Sequence, residues 1–404
     1  MPVTRREDVV VVGAGQAGLA VSHELSRRGV EHVVLERGRV GQTWRGRWDS
    51  FCLVLPNWTL RLPGHAYDGD DPDAYMPRDS IVAYLERYAA KAGAIEEGVD
   101  VRSLEPGEGA GFRLRTDGGD IEARRVVLTT GAYQRPHRPP GAGTLPPTLP
   151  AIDAEGYTNP GALPPGGVLV VGSGQTGCQI AEEVHQAGRE TFLACGRAGW
   201  LPRRLGDQDM VSWLVRTPFF EQPVAALASP LARLIGNPQL SGRDGGHDLN
   251  CRTLRGMGVT LLGRFTHADG GGAYFAPDLA ESVAFGDARH ADIREMIARV
   301  CAGGGMPMPE MPDPPAFDAR APERVELSRL GTVIFTSGFR PDYARWVHIP
   351  TFDDLGFPVH DQGASTVAPG LYFVGVHFMR TRKSSLLLGV GEDASLVARQ
   401  IAGH

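Results

Sequence analysis

Two parts of the chain share one pattern, in which a short apolar run leads into a glycine-rich turn and then an amphipathic stretch. In the first part, Asp8–Val12 is the apolar run and Gly13–Gly18 is the turn. Leu19 and Leu25 then lie on the apolar face of the stretch, and a second apolar run follows at His32–Leu35. Short apolar runs bounded by glycine predict buried strands, and helical spacing predicts a helix. The chain therefore opens with a predicted βαβ unit.

The turn of this unit has the G-x-G-x-x-G spacing that is typical of dinucleotide sites. The first glycine permits a tight turn, the second lets a pyrophosphate approach the backbone, and the third lets helix and strand pack closely. The phosphates would lie at the helix N-terminus. An acid ends the second run, where it can bind ribose hydroxyls. The pattern favours a dinucleotide site over a plain glycine-rich turn, with predicted contacts from Gly13, Gly15, Gln16, Ala17, Gly18 and Glu36.

The same unit returns later in the chain. A predicted strand at Val168–Val171 leads into a second G-x-G-x-x-G turn, a helix that ends near Gly188 and a strand at Thr191–Cys195. Two such turns predict two bound nucleotides. The predicted contacts in the second turn are Gly172, Gly174, Gln175, Thr176 and Gly177.

The second unit differs where the first one has its acid. Arg197 stands past the second strand, and Arg203 and Arg204 lie nearby. A cation suits the 2′-phosphate of NADPH, whereas an acid would repel it. This favours NADPH over NADH at the second site. Chance is the alternative, because Lys91 and Lys383 are the only lysines among 41 basic residues and arginine is common everywhere.

Two further strands precede small, glycine-ending turns. Arg125–Leu128 leads into Thr-Thr-Gly and Thr332–Phe335 leads into Thr-Ser-Gly. Such turns suit places where the backbone passes close to a cofactor, so the predicted contacts there are Thr130, Gly131, Ser337 and Gly338.

The order of these elements predicts an α/β fold with two Rossmann-like dinucleotide-binding domains, the second inserted into the first. The first domain is expected at residues 1–160 and 323–404, and the second at 161–322. Proline-rich linkers are expected at Arg135–Pro150 and Met306–Pro322, and helices at Asp278–Val300 and from about Glu392 to Ile401.

Composition narrows the range of functions. The chain has 404 residues and a net charge of −6, which argues against nucleic-acid and anionic-membrane partners. The sequence has no apolar run near the ~18–20 residues that a membrane span needs. The five cysteines form no Cys-x-x-Cys pair, so a disulfide framework, a structural zinc site and a redox-active dithiol are not expected. We expect a cytoplasmic protein and no metal site.

These features together resemble the flavin-containing monooxygenase family of two-dinucleotide-binding flavoproteins, and most closely bacterial members related to plant indole-pyruvate monooxygenases. The resemblance covers nearly the whole chain. Besides the two glycine turns it rests on the segments Gly41–Arg45, Trp48–Ser50, Pro56–Trp58, Leu62–Gly64, Phe373–Gly375, Arg382–Ser384 and Gly389–Ala394.

The resemblance implies FAD at the first glycine turn and NADPH at the second. NADPH would reduce the flavin, and reduced flavin would bind oxygen as a C4a-(hydro)peroxide that oxygenates a small organic substrate. The reaction would be N or S oxidation, or oxygen insertion next to a carbonyl. The expected partners are this substrate and O2, with a homodimer as a further possibility. Two alternatives stay open: an NAD(P)H:acceptor oxidoreductase of the same fold, and a non-catalytic flavoprotein that reports redox state.

The resemblance also places individual residues. Asn57 matches a family position that faces the flavin, where a side-chain amide can donate to developing negative charge. Lys383 follows the stretch that returns to the flavin, and we expect it to act as a point charge there. Both are predicted catalytic residues, with a turn asparagine and chance survival of a lysine as the alternatives. Further FAD contacts are expected from Arg37, Gln42, Thr43, Trp44, Trp48, Val101 and Gly375.

One segment departs from the family pattern. Family members carry a His-Ser pair ahead of a tyrosine between the two glycine turns. Here Tyr157 matches the tyrosine, but Asp153 and Ala154 stand where the pair is expected. The departure bears on NADPH docking.

Overall fold

The computed structural model describes residues 5–403 except Glu108 and Ala110. The strands of its three largest sheets are, in chain order, β1 Arg5–Val12, β2 Val33–Glu36, β3 Ala94–Glu97, β4 Val101–Pro106, β5 Phe112–Thr116, β6 Gly119–Leu128, β7 Ala151–Asp153, β8 Gly167–Val171, β9 Thr191–Ala194, β10 Thr260–Leu262, β11 Phe265–Asp269, β12 Gly272–Phe275, β13 Arg324–Glu326, β14 Leu330–Phe335, β15 His360–Asp361, β16 Ala364–Ser365 and β17 Leu371–Phe373. The α-helices of the described residues are α1 Gln16–Ser26, α2 Gln42–Arg45, α3 Arg78–Ala89, α4 Gln175–Gln186, α5 Met210–Leu214, α6 Cys251–Met257, α7 Leu279–Gly304 and α8 Val390–Ala402.

The first sheet has the order β15-β16-β17-β6-β1-β2-β3, and β4 and β5 extend it from β6. Its centre, β17-β6-β1-β2-β3, is parallel. Parallel strands are buried on both faces, which explains the uninterrupted valines of β1. Helices α1, α3 and α8 supply the apolar side chains that cover one face of this sheet.

The second sheet, β7-β14-β8-β9-β10, is parallel throughout. Helices α4, α6 and α7 contribute to the core on one face. The antiparallel sheet β11-β12-β13 contributes to the core on the other face. Two sheets with parallel centres, one with a glycine turn between β1 and α1 and the other with a glycine turn between β8 and α4, confirm the predicted fold class.

The chain leaves the first sheet for the second and then returns to it, and the strands of the second and third sheets extend beyond the predicted domain bounds. Strands β7, β13 and β14 belong to the second and third sheets, although boundaries at residues 160 and 323 place them in the first domain. The chain passes between the sheets at the antiparallel pair Arg135–Pro136 and Phe339–Arg340. β7 has only three residues and follows a proline-rich stretch, so the sequence pattern carries too little signal to place it.

The predicted helices and strands otherwise appear within a few residues of their expected bounds. The helix expected at Asp278–Val300 is α7, and the last helix, α8, begins two residues before Glu392. Among the described residues, every helix is too short or too polar to cross a lipid bilayer.

Candidate active site

The first glycine turn has the geometry of a phosphate cradle. Gly13 has a φ of 105°, which strains any other residue. A methyl group at Gly18 would lie 1.8 Å from the carbonyl oxygen of Gly13, so only glycine allows α1 to pack this close. A methyl group at Gly15 would meet nothing within 4 Å, which leaves open space in front of the N-terminus of α1. The free N–H groups at that helix end suit the pyrophosphate of a dinucleotide.

Glu36 is fixed at the edge of this cradle. It is 7% exposed, and its two carboxylate oxygens accept hydrogen bonds from the backbone N–H groups of Ala14 (2.8 Å) and Gly38 (2.9 Å). Each carboxylate oxygen keeps a lone pair, so the group is still able to accept from ribose hydroxyls. The predicted acid thus lies beside the predicted turn.

The second glycine turn repeats this construction. Gly172 has a φ of 115°, and a methyl group at Gly177 would lie 1.8 Å from the carbonyl oxygen of Gly172. A methyl group at Gly174 would again meet nothing within 4 Å. Gln175 exchanges hydrogen bonds with the backbone of Leu240, which positions the start of α4. The cradle for a second dinucleotide therefore fits as well as the first.

The end of β9 differs from the end of β2 in the way that the sequence indicates. There the hydroxyl of Ser173 bonds with the backbone N–H and C=O of Gly196, and this contact takes the place of the acid. Arg197 follows, exposed, in a cavity of about 450 Å³ that Arg264 and Glu281 also line. Arg264 is paired with Asp278, so Arg197 offers the freer positive charge.

The loops around the first cradle converge on the start of α1. The amide oxygen of Gln16 accepts from the indole N–H of Trp44 (3.0 Å), and its nitrogen donates to the carbonyl oxygen of Ser385 (3.2 Å). A methyl group at Gly375 would lie 2.5 Å from Cβ of Ala17, so the turn after β17 passes directly over this helix. These residues are far apart in the sequence, and the fold brings them together at the first glycine turn.

The other predicted contacts occupy compatible but less defined positions. Arg37, Gln42, Thr43, Thr130, Arg204 and Gly338 are exposed, while Val101, Gly131, Thr176 and Ser337 are partly buried. Gly131, after β6, and Gly338, after β14, both have positive φ values. Their contacts with a cofactor stay predictions.

Two predicted cofactor contacts are corrected by the structure. Trp48 is only 3% exposed and packs edge-to-face on Phe51 and near Tyr157, so it belongs to a protein core. Arg203 is 2% exposed and ion-paired with Asp209, and it donates to the backbone oxygen of Val54. Both residues were assigned from their place in the sequence, which carries no information about these distant partners.

The Arg203–Asp209 pair also joins the two domains. The guanidinium lies 4.9 Å from the ring centre of Tyr75, whose hydroxyl donates to Asp209. Burial and this carboxylate both raise the pKa of Tyr75, so the phenol stays protonated. A buried ion pair tolerates the loss of neither partner, because the other charge is then left without compensation.

Asp209→Asn is therefore expected to lower the free energy of unfolding by about 3–5 kcal/mol. Urea unfolding followed by circular dichroism measures the change, with Asp207→Asn on the exposed neighbouring position as control. A loss below about 1 kcal/mol, the range of surface ion pairs, would contradict the buried pairing.

Asn57 is buried and incompletely hydrogen-bonded. It is 5% exposed, and its side-chain nitrogen donates to the carbonyl oxygen of Asp71 (2.9 Å). Its side-chain oxygen is buried without a partner among the described residues. The segment that carries it contacts the loop before α8, because the N–H of Arg61 donates to the carbonyl oxygen of Leu387 (3.3 Å). A buried amide oxygen without a partner needs an explanation, and a bound molecule that supplies the partner is one.

Lys383 does not act as the free charge that the sequence predicts. It is 8% exposed, and its ammonium donates to Glu221 (2.5 Å) and Glu392 (2.6 Å). Burial alone would lower the pKa of Lys383, but the two carboxylates outweigh burial and raise it. Because both acids already neutralise it, Lys383 joins the segment around residue 221 to the start of α8.

The segment that departs from the family pattern has its own internal partners. Asp153 accepts two hydrogen bonds from Arg138, at 2.8 and 3.0 Å. Ala154 is buried, and the hydroxyl of Tyr157 donates to Glu183 on α4 (3.0 Å). Asp153 is thus committed to a neighbouring arginine.

Three turns bring together His377, a histidine that the sequence offers for acid/base work, and two aromatic residues that sequence reasoning did not single out. Tyr133 follows the turn after β6, Phe339 follows the turn after β14, and His377 follows the turn after β17. The Tyr133 ring stacks on His377 at 5.2 Å and lies 5.6 Å from Phe339, yet Tyr133 is 53% exposed. Burial lowers the pKa of His377 to about 4, so it is neutral near pH 7. The position of Tyr133 and Phe339 just past the predicted cofactor turns is the sequence signal that could have identified them.

Comparisons with known proteins agree with this arrangement. A family model described as pyridine nucleotide-disulphide oxidoreductase matches residues 10–226. Over 401 residues the chain is 30% identical to the uncharacterized CzcO-like oxidoreductase of Geobacillus kaustophilus (strain HTA426), covering 98% of this chain and 99% of that protein. It is 32% identical over 230 residues to the indole-3-pyruvate monooxygenase YUCCA1 of Oryza sativa subsp. japonica, which covers 50% of this chain and 56% of the relative.

A solved structure shows the same fold. The flavin-containing monooxygenase from Stenotrophomonas maltophilia matches with a TM-score of 0.68 and 19% identity, over 99% of each chain. The family match spans both glycine turns, and the relatives extend it along the chain. The resemblance drawn from the sequence motifs is thereby confirmed. The chain belongs to the pyridine nucleotide-disulphide oxidoreductase family, groups there with the flavin monooxygenases, and is an oxidoreductase that uses FAD and NAD(P)H.

Proposed function

We propose that this protein is an FAD- and NADPH-dependent monooxygenase that oxygenates a small organic substrate. The observation that carries the proposal is Asn57, a buried amide with an unpartnered oxygen, on a segment that contacts the loop before α8. A reductase that only passes electrons to an acceptor has no need of such a group. The indole-3-pyruvate monooxygenase among the relatives supports the same reading.

FAD, when bound, would accept a hydride from NADPH and then activate O2, so that one oxygen atom passes to the substrate and the other leaves as water. The protein holds the two cofactors and controls their surroundings. Gly15 and Gly174 would leave room for the pyrophosphates, and Glu36 would accept from the ribose hydroxyls of FAD. The side-chain amide of Asn57 has a second N–H to donate toward negative charge that develops on oxygen.

Burial of the cysteines argues against disulfide reduction, despite the family's name, although Cys195 contacts Cys251 and this contact lowers the pKa of Cys251. All five are free, and four of them are buried. Cys178 lies at the start of α4, but burial raises the pKa of its thiol well above the usual value. A redox dithiol needs a reactive, accessible thiolate. Quinone-type acceptors are the reductase substrates that the residues leave open.

Comparing electron acceptors tests the proposal. We expect NADPH oxidation by the purified yellow protein to require O2, and menadione in the absence of oxygen to be a poor replacement. The assay follows NADPH absorbance, oxygen uptake and peroxide release together. Faster turnover with menadione than with O2 would support the acceptor reductase instead.

Arg197 is the proposed recognition residue for the 2′-phosphate of NADPH. Arg197→Glu is expected to raise the KM for NADPH about tenfold to a hundredfold, because a charge-assisted contact contributes about 1.5–3 kcal/mol. The KM for NADH should change little or fall. Arg299→Gln, on an exposed part of α7, serves as the control. Equal effects on NADPH and NADH would exclude a contact with the 2′-phosphate.

A further inference from the structure

The loop between β17 and α8 is held at both of its ends on the FAD cradle. At its start, Gly375 packs against Ala17, and near its end the carbonyl oxygen of Ser385 accepts from Gln16. Arg382 lies three residues before Ser385. Its side chain reaches from this loop to the segment 219–237 of the inserted domain. Arg382 therefore stands where the two domains meet next to the flavin site.

The guanidinium of Arg382 lies between two aromatic rings. Its central carbon is 4.4 Å from the ring centre of Phe219 and 4.8 Å from that of Phe378. It donates to the side-chain oxygens of Gln222 (2.6 Å) and Asn237 (3.3 Å). Its Nε is buried and has no partner among the described residues. Planar stacking of this kind orients the donors of a guanidinium toward a ligand.

The nearby carboxylates all pair with other cations. Lys383 forms ion pairs with Glu221 and Glu392, and Arg380 forms one with Asp393. Within the described part of the chain Arg382 makes no ion pair and has only neutral amide partners. Burial lowers its pKa to about 10, still well above neutral pH, so the positive charge is retained. A charge kept this way without a counter-ion is costly, and an incoming anion would offset the cost.

The backbone next to this site is strained. Phe378 has a φ of 52° and is 5% exposed. A bulky L-residue in the left-handed region costs of order 1–3 kcal/mol and persists where the surroundings enforce it, often at functional sites. Here the strained conformation places the Phe378 ring over Arg382. The Phe378 ring is thus part of the apolar surroundings of the guanidinium.

We propose that Arg382 binds the carboxylate of the substrate, with Phe219 and Phe378 lining the place for its apolar part. This specificity assignment rests on the proposed monooxygenase function, since it names the class of substrate for that site: a small organic acid. Nη1 and Nη2 of Arg382 each donate one hydrogen bond to an amide oxygen, so each keeps a second N–H that a carboxylate can accept. Glu221 and Glu392 do not compete, because Lys383 holds both.

The test compares two probes that differ in the carboxylate, phenylpyruvate and the neutral phenylacetone. Binding to the oxidised FAD enzyme is followed by the change in flavin absorbance, without NADPH, so the result is independent of oxygenation. We expect Arg382→Gln to weaken phenylpyruvate binding about tenfold or more, the loss of a charge-assisted contact. The dissociation constant for phenylacetone should change less than about threefold in the same variant. Arg345→Gln, with a 74% exposed side chain, is the control.

Asn237→Asp provides a second test that does not remove the arginine. It places a carboxylate within reach of the guanidinium, as the 3.3 Å contact shows, and so supplies an internal counter-ion. We expect weaker phenylpyruvate binding with equal or higher thermal stability. Unchanged binding in this variant and in Arg382→Gln would overturn the proposal.

Two further results would overturn the assignment and leave the monooxygenase proposal standing. One is that the wild-type protein binds none of phenylpyruvate, 4-methyl-2-oxopentanoate and benzoate. The other is that Arg382→Gln loses FAD or raises the KM for NADPH tenfold while acid binding is kept, which would make Arg382 a ligand of a cofactor phosphate.

Discussion

Gly174→Val should leave a folded, yellow protein that NADPH no longer reduces. Gly174 has φ −69° and ψ −175°, an extended conformation that valine adopts easily. No atom beyond the adjacent residues lies within 4 Å of the position of its Cβ, so the site has room for a side chain. It would instead fill the space that a pyrophosphate needs in front of α4. Anaerobic mixing with NADPH, followed by flavin bleaching, measures the loss.

The matched substitution in the other cradle separates the two sites. Gly15 is also extended, with φ −80°, and is equally open. Gly15→Val should therefore fold but purify without flavin, as absorbance and circular dichroism would show. Each variant is the control for the other, because both add the same side chain to the same kind of turn. If both retained FAD and NADPH reduction, the dinucleotides would not lie in these turns.

Asn57→Ala should keep FAD but release hydrogen peroxide. The substitution removes the proposed donor toward oxygen and leaves the two cradles intact. Removal of one such donor costs about 10²–10³ in rate at sites of this type. We expect NADPH oxidation without any substrate to speed up and to yield peroxide in near-equal amount. The measurement pairs NADPH absorbance with a peroxide assay.

An Asn57→Ala variant that behaves like the wild-type protein would contradict this role. If Asn57→Ala bound FAD and released no more peroxide than the wild-type protein, Asn57 would be a turn residue only. A fall in flavin content would instead identify the unpartnered side-chain oxygen of Asn57 as a cofactor contact. The hydrogen bond to Asp71 is also lost in this variant, but that loss affects only the local loop.

The cradles were predictable from the sequence because their physics is local. Gly13 needs a positive φ, Gly18 must touch the Gly13 carbonyl, and Gly15 must leave space, and all three demands fall within six residues. Glu36 follows because strand order fixes its place beside the turn. Local constraints of this kind appear in the residues themselves.

The roles of the charged residues were harder to predict from the sequence because their partners are distant along the chain. Lys383 meets Glu221 across 162 residues, and Arg203 takes the backbone of Val54 across 149. Whether such a side chain serves a cofactor or an ion pair depends on the tertiary fold. Trp48 has the same ambiguity, since a tryptophan can line a cofactor or fill a core.

Arg382 shows the converse case. The segment Arg382–Ser384 carries part of the resemblance, yet the sequence shows no reason to prefer its arginine over its lysine. Only the structure reveals that Lys383 is neutralised by two acids while Arg382 stacks between two rings without any. The structure therefore reverses the expected roles of these two neighbours: Lys383 is neutralised, and Arg382 keeps a charge without a counter-ion.

The central claim is that the reduced enzyme activates oxygen for transfer to a substrate. The most direct measurement reduces the protein with NADPH in the absence of oxygen, then mixes it with oxygenated buffer and follows the near-ultraviolet spectrum. Our account predicts a transient absorbing species that forms before the spectrum of oxidised flavin returns and that decays faster when phenylpyruvate is present. Direct return of oxidised flavin with stoichiometric peroxide, with and without phenylpyruvate, would contradict it.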